Sequence, residues 1–119
     1  MIPLHLEKYT AQDFDDYYAL VRDEAVMKYI TGEALSKDDA QARFAKSIRQ
    51  NDAHAIFGSY KIFIDHTYIG FGMVILDEVN NEAEIGYMLF PQFFKKGYGQ
   101  QIANTLVALA RKTTIPTVM

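Results

Sequence analysis

The run from Tyr68 to Leu76, Tyr-Ile-Gly-Phe-Gly-Met-Val-Ile-Leu, carries no charged side chain. Its apolar character does not alternate, so it predicts a strand buried on both faces, and a chain holding such a strand has to build a sheet around it. Gly70 and Gly72 fall on one face of that strand and leave it bare of side chains there. No apolar run approaches the ~18–20 residues needed to span a bilayer.

The neighbouring segments supply the rest of a sheet. Glu82 to Phe90 predicts the next strand, with Ala83, Ile85, Tyr87 and Leu89 on one face, Glu82, Glu84, Gly86 and Met88 on the other, and Pro91 as its stop. Tyr87, sharing a face with Ile85 and Leu89, is expected in the core. Upstream, between His54 and Asp65, the positions Ile56, Tyr60, Ile62 and Ile64 share a face. Asp65-His66-Thr67 reads as a hairpin connection, although it lacks the glycine that tight two-residue turns prefer. Residues 2–9 predict a short strand with Ile2, Leu4 and Leu6 together.

Helical spacing fills the intervals. Thr10 with Asp13 predicts a capping box, followed by a helix burying Phe14, Tyr17, Tyr18 and Val21 at i, i+3, i+4, i+7. Val26 to Ile30 predicts a short helical stretch stopped by Thr31-Gly32. Ser36 with Asp39 repeats the capping signal and opens a helix to about Gln50 that buries Ala40, Phe44 and Ile48. A last helix begins near Gly99, buries Ile102, Leu106 and Leu109 with Ala103 and Ala110, and ends at Lys112 and Thr113. Thr114 to Met119 starts another strand. The order is β–α–α–β–β–β–α–β with a partial last strand.

Composition narrows the function. At 119 residues, half of them hydrophobic, the chain makes one domain, 1–119, with a real core. Lys and Arg number 12 against 15 Asp and Glu, and this net charge of −3 argues against a nucleic-acid or membrane surface as partner. The absence of cysteine excludes disulfides, thiolate metal sites and a cysteine nucleophile. His5, His54 and His66 are too far apart for a local metal motif and read as surface or strand-end residues. Asp15-Asp16 and Asp38-Asp39 read as charges favoured at helix N-termini, so no metal is expected. The N-terminus shows no basic region followed by an apolar stretch, so the expected setting is cytoplasmic.

The most informative segment runs from Glu84 to Gln100: a strand, a basic loop with two glycines, then a helix start. Amides at such a turn are unpaired and the helix dipole adds about half a positive charge. Gly97 and Gly99 would let an anion approach the backbone, and Lys95 and Lys96 add mobile positive charge, which suits a phosphate or pyrophosphate. The same residues also make an ordinary strand–turn–helix corner, and the three-glycine dinucleotide fingerprint is missing.

This segment resembles motif A of the GNAT superfamily of acyl-CoA-dependent N-acetyltransferases. It is most similar to the branch typified by ribosomal-protein N-terminal acetyltransferases, in Glu84-Ile85-Gly86-Tyr87, then Pro91, an aromatic, and Lys96-Gly97-Tyr98-Gly99. Asp23 to Gly32 and the helix after Ser36 resemble the opening of that branch. The resemblance implies an α/β fold with a mixed, mostly antiparallel central sheet and helices on both faces. It implies acetyl-CoA as cosubstrate, with Met88, Leu89 and Phe90 holding the pantetheine arm and Lys95, Lys96, Gly97, Tyr98, Gly99 and Gln100 cradling the pyrophosphate. The family usually has Gln or Arg where this chain has Phe94.

The resemblance also implies further strands and a helix past this point, so the expectation is a domain incomplete at its C-terminus. That implies either a truncated gene product or an assembly in which another chain supplies the cover, with a homodimer through the incomplete sheet edge as one form.

Acetyl transfer from a thioester to an amine needs a proton acceptor for the amine, a donor to the carbonyl oxygen and an acid for the thiolate. Glu84 is the candidate base, on the face away from the aliphatic stripe and beside Gly86; it also reads as an exposed carboxylate or one that orients the acceptor. An amide near Met88 or Leu89 would polarise the carbonyl. Tyr98 is expected to pack at the helix start, and Tyr29, Thr31 and Gly32 border the acceptor pocket in relatives. The expected acceptor is a primary amine, on a small molecule or a protein N-terminus. The alternatives are an inactive CoA-binding or protein-interaction remnant, or a subunit completed by a second chain.

Overall fold

A two-residue turn at Asp65–His66 sets the register of the sheet. Both residues adopt positive φ, 51° and 67°, the combination that lets a tight hairpin follow the strand twist. Asp and His are among the side chains that tolerate this region best, so the turn works without glycine. The computed structural model describes residues 4–28, 30–77, 82–112 and 117–118. The turn joins β2 (Gly58–Ile64) to β3 (Thr67–Asp77), so Thr67 belongs to the strand, and Ile56 precedes β2. On either side lie β1 (Leu4–Lys8) and β4 (Glu82–Leu89), all antiparallel, and β5 (Thr117–Val118) pairs parallel to β4 at Glu82 and Ala83. The expected strands are present in the order β1-β2-β3-β4-β5.

The alternation of β3 breaks once. Ile62 pairs with Gly70 but Phe63 with Tyr68, which leaves Ile69 as an extra residue. This bulge turns Ile69 towards one core and Tyr68 towards the other. Next to it, a Cβ on Gly70 would stand 2.1 Å from the Met88 carbonyl oxygen, so β4 can lie this close only against a glycine.

The helices cover both faces, as the resemblance implied. On one face α1 (Phe14–Val21) and α3 (Lys37–Ala53) pack an aromatic core of Tyr9, Tyr17, Phe44 and Phe71 with Leu20 and Met27. On the other, α4 (Tyr98–Ala110) drives Ile102, Leu106 and Ala110, each fully buried, onto Ile62, Ile69 and Val74. Burying each such aliphatic side chain is worth about 1.5–3 kcal/mol.

The capping signals are used. The Thr10 N–H and hydroxyl donate to Asp13 Oδ2 at 2.8 and 3.0 Å. The Asp39 N–H donates to Ser36 Oγ at 3.2 Å. The short helix α2 is Glu24–Met27, starting two residues earlier than the spacing predicts, because Asp23 caps it by accepting from the Ala25 N–H. It ends where the Met27 carbonyl accepts from Ile30, Thr31 and Gly32. Helix α3 runs on to Ala53, past the expected Gln50. Its buried Asn51 donates to the Tyr9 and Ser59 carbonyls and accepts from the Ser59 N–H, tying the helix end to β2. Tyr29, Thr113 and 114–116 lie outside the described residues.

Candidate active site

The aliphatic core aims α4 so that its N-terminus meets the end of β4. The linking loop passes through Lys95 at φ 59° and Gly97 at φ 82° before the helix starts at Tyr98. As the first residues of a helix, Gly97, Tyr98, Gly99 and Gln100 present amides that no intrahelical carbonyl can satisfy. A Cβ on Gly97 would meet nothing within 4 Å, so this glycine answers to its backbone angle and opens onto free space.

Three clefts surround this corner. One, of about 490 Å3, lies between α2 and the end of β4, with Met88, Leu89, Phe94, Lys95 and Gly99 in its wall. The second, about 870 Å3, opens on the aromatic face between α3 and β4 and holds Glu84, Gly86 and Met88. Ile30, Tyr87 and Met88 line both, so these two clefts adjoin. A third groove of about 760 Å3 follows the outer side of α4, along Lys96, Gly97, Tyr98 and Gln100. The residues proposed for the pyrophosphate are therefore spread around the two sides of one helix terminus.

Tyr87 is a correction. It was expected in the core, yet it is 44% exposed. Ile85 and Leu89 on either side of it reach the aliphatic core, but its own hydroxyl sits over the helix start: a Cβ on Gly99 would fall 2.4 Å from it. Tyr98, by contrast, packs at the helix start as expected, edge-on to Phe93 at 6.1 Å between centroids. The large apolar side chains exposed among the described residues are Ile30, Tyr87 and Phe94. All of them converge on the smaller cleft.

The strand predicted to hold pantetheine divides its groups. Phe90 donates its N–H to the Ile69 carbonyl at 3.0 Å and its ring meets Tyr68 edge-on at 5.5 Å, so both face inward. By the two-residue alternation of a strand, the Met88 amide also turns to β3, while those of Ile85, Tyr87 and Leu89 point to the far edge. Among the described residues β5 covers that edge only at Glu82 and Ala83.

Glu84 is exposed at the rim of the larger cleft. The room that Gly86 leaves is shared with Met73, whose Cε lies 3.0 Å from where a Cβ would be. Tyr17 lines the same cleft; burial pushes its hydroxyl above the usual range, against the pull of the nearby Arg43 charge. Arg43 and Lys46, which sequence reasoning missed, stand on the opposite wall with Ser47 and Gln50. Their i, i+3, i+4, i+7 spacing was the available signal, but a polar helical stripe normally faces water. Among the described residues no group of three or more His, Cys, Asp or Glu side chains could hold a metal ion. Nor is any described helix long and apolar enough to cross a membrane.

The helix start thus lies beside an apolar cleft, and a carboxylate rims the cleft adjoining it. Residues 4–119 match the family model of the acetyltransferase (GNAT) domain, and the chain belongs to that family. It is 26% identical over 118 residues to an uncharacterized N-acetyltransferase, YnaD, of Bacillus subtilis (strain 168), covering 87% of this chain and 59% of the relative. The chain thus spans well under two thirds of that protein's length. The fold is similar to apo RimL, a ribosomal L7/L12 alpha-N-protein acetyltransferase (TM-score 0.73, 21% identity, 93% of this chain and 65% of that one). It is also similar to spermidine N-acetyltransferase from Vibrio cholerae in complex with CoA and spermine (TM-score 0.69, 16% identity, 88% and 62%).

Proposed function

We propose that the chain transfers an acetyl group from acetyl-CoA to a primary amine, on a small molecule or a protein N-terminus. The observation that carries this reading is the convergence of Ile30, Tyr87 and Phe94 on a cleft that ends at the α4 N-terminus. Exposed apolar side chains gathered in one concavity suit an apolar ligand arm, and the helix amides beside them suit its phosphates. Leu89, Met88, Lys95 and Gly99 would line the arm's path. Lys96, Gly97, Tyr98 and Gln100 would face the phosphates from the other side of the helix. Phe90 would support Tyr68 and β3 from within, without touching the arm by its amide.

The acceptor amine would enter through the larger cleft. Its nitrogen lone pair attacks the thioester carbonyl carbon; the C–N bond forms and the C–S bond breaks. Glu84 takes the ammonium proton, directly or through one water, and that proton, passed on through solvent, converts the departing thiolate to the free thiol. The Leu89 N–H, turned to the far edge, would donate to the carbonyl oxygen. The resemblance of Glu84-Ile85-Gly86-Tyr87 and Lys96-Gly97-Tyr98-Gly99 to the ribosomal-protein N-terminal acetyltransferase branch supports that branch.

The test is calorimetry with acetyl-CoA together with thiol release over a panel of primary amines. Saturable heat plus amine-dependent thiol supports the reading. Heat without thiol from any amine points instead to a CoA-binding remnant, and the absence of both overturns it.

A further inference from the structure

The charges lining the larger cleft are unequal. From α3, Arg43 and Lys46 enter it one turn apart; from β4, Glu84 stands on the opposite wall. The helical spacing of Arg43, Lys46, Ser47 and Gln50 makes this wall a polar stripe beside the buried stripe of Ala40 and Phe44. The floor between the walls is apolar, with Phe71, Met73 and Met88. The Arg43 charge lies near enough to the Tyr17 hydroxyl to oppose, without cancelling, the effect of its burial. Among the described residues, the cleft thus sets two cations against one carboxylate across an apolar floor.

An acceptor with several amines and no anion would meet the two cations as like charges, which disfavours it. An acceptor with an amine at one end and a carboxylate at the other matches both walls. Resting on the acetyl-transfer reading for the fate of the amine, we propose that the acceptor is an amine that also bears a carboxylate, its anionic end held by Arg43 and Lys46 and its amine near Glu84. Arg43 supplies a planar fork suited to a carboxylate and Lys46 a mobile point charge. The carboxylate belongs either to a free amino acid or to an acidic residue close behind a peptide's N-terminus; the chemistry recognised is the same.

Equilibrium binding tests this without turnover. Butylamine, γ-aminobutyrate and putrescine share a four-carbon spine and differ only in the far group: none, carboxylate or a second amine. Calorimetry at low salt should rank γ-aminobutyrate about tenfold tighter than butylamine, with putrescine weakest, and added salt should shrink the gap. Arg43→Glu with Lys46→Glu should reverse the ranking, and Arg43→Gln with Lys46→Gln should only flatten it. Both residues are exposed, and circular dichroism checks that the variants fold. An amidated Gly-Glu dipeptide carries the carboxylate only on its side chain, so its affinity relative to γ-aminobutyrate tells a peptide acceptor from a free amino acid. Putrescine binding as tightly as γ-aminobutyrate, or a ranking unchanged in the Glu variants, overturns the proposal. Preserved ranking in the native chain without thiol release from any amine would instead strike only the acetyl-transfer reading.

Discussion

The two faces of the sheet are built from different materials for different ends. The α4 face is aliphatic: Ile62, Ile69, Val74, Ile102 and Leu106 interlock with no exposed surface. The α1/α3 face is aromatic, with Tyr9 edge-on to both Tyr17 and Phe44 at about 6 Å. It ends in the open cleft of about 870 Å3. Branched aliphatics fill space closely and fix the direction of one helix, which a site built on that helix terminus requires. At the rim of the aromatic face Tyr17 and Phe71 line the gap, and the flexible Met73 takes up the room beside Gly86. One face aims; the other admits.

The largest effect should come from the aiming face. Leu106→Ala should cost about 2–5 kcal/mol in chemical denaturation, the range for a large aliphatic truncated in a closed core. It should also weaken acetyl-CoA binding, since the helix start loses its seat. A loss below 1 kcal/mol would mean that this face is looser than its burial implies. On the admitting face, Glu84→Gln should leave stability and acetyl-CoA affinity unchanged while lowering kcat by ~100-fold or more. An equal drop in affinity and rate would move Glu84 from proton acceptor to a binding role.

Smaller changes separate the faces further. Tyr68→Phe removes the hydrogen bond of 2.6 Å between the Tyr9 and Tyr68 hydroxyls and the 3.2 Å bond to the Asp16 carbonyl, leaves the buried Tyr9 hydroxyl without that partner, and should cost about 1–3 kcal/mol by thermal melting. Should the cost match that of Leu106→Ala, the aromatic face would be as closed as its counterpart. The smallest effect lies at the edge of α1. Burial raises the Asp13 carboxyl, but the Thr10 N–H, the Thr10 hydroxyl and Lys61 outweigh it and hold the group below its usual value. Stability from this group is complete above its unfolded value of 3.8 and is lost as pH falls through the lower folded value. Asp13→Asn should therefore flatten the acid side of the stability–pH curve and leave its slope near neutrality unchanged.

Local signals carried most of the fold into the sequence. Thr10 with Asp13, Ser36 with Asp39 and the alternation of Ile62 and Ile64 each depend on neighbours close in the chain. So does the strand–loop–helix corner from Glu84 to Gln100, whose shape was legible. What escaped was set by distant partners. The bulge at Ile69 answers to the pairing of β2 with β3 and leaves no periodic mark. Tyr87 follows the alternation of its strand between Ile85 and Leu89, yet its ring rests over Gly99 and stays exposed. Asn51 looks like a helix-ending surface residue until β2 brings Ser59 beside it. Arg43 and Lys46 read as a solvated stripe until β4 places Glu84 across from them.

The central claim is that the α4 N-terminus and the far edge of β4 together hold the acetyl donor. An amide-resolved NMR titration with acetyl-CoA tests it most directly. The account expects the largest shifts at Gly97, Tyr98, Gly99 and Gln100, with a second group at Tyr87 and Leu89 and little change at Met88. Saturable binding whose shifts fall elsewhere, or none at all at the helix start, would contradict it.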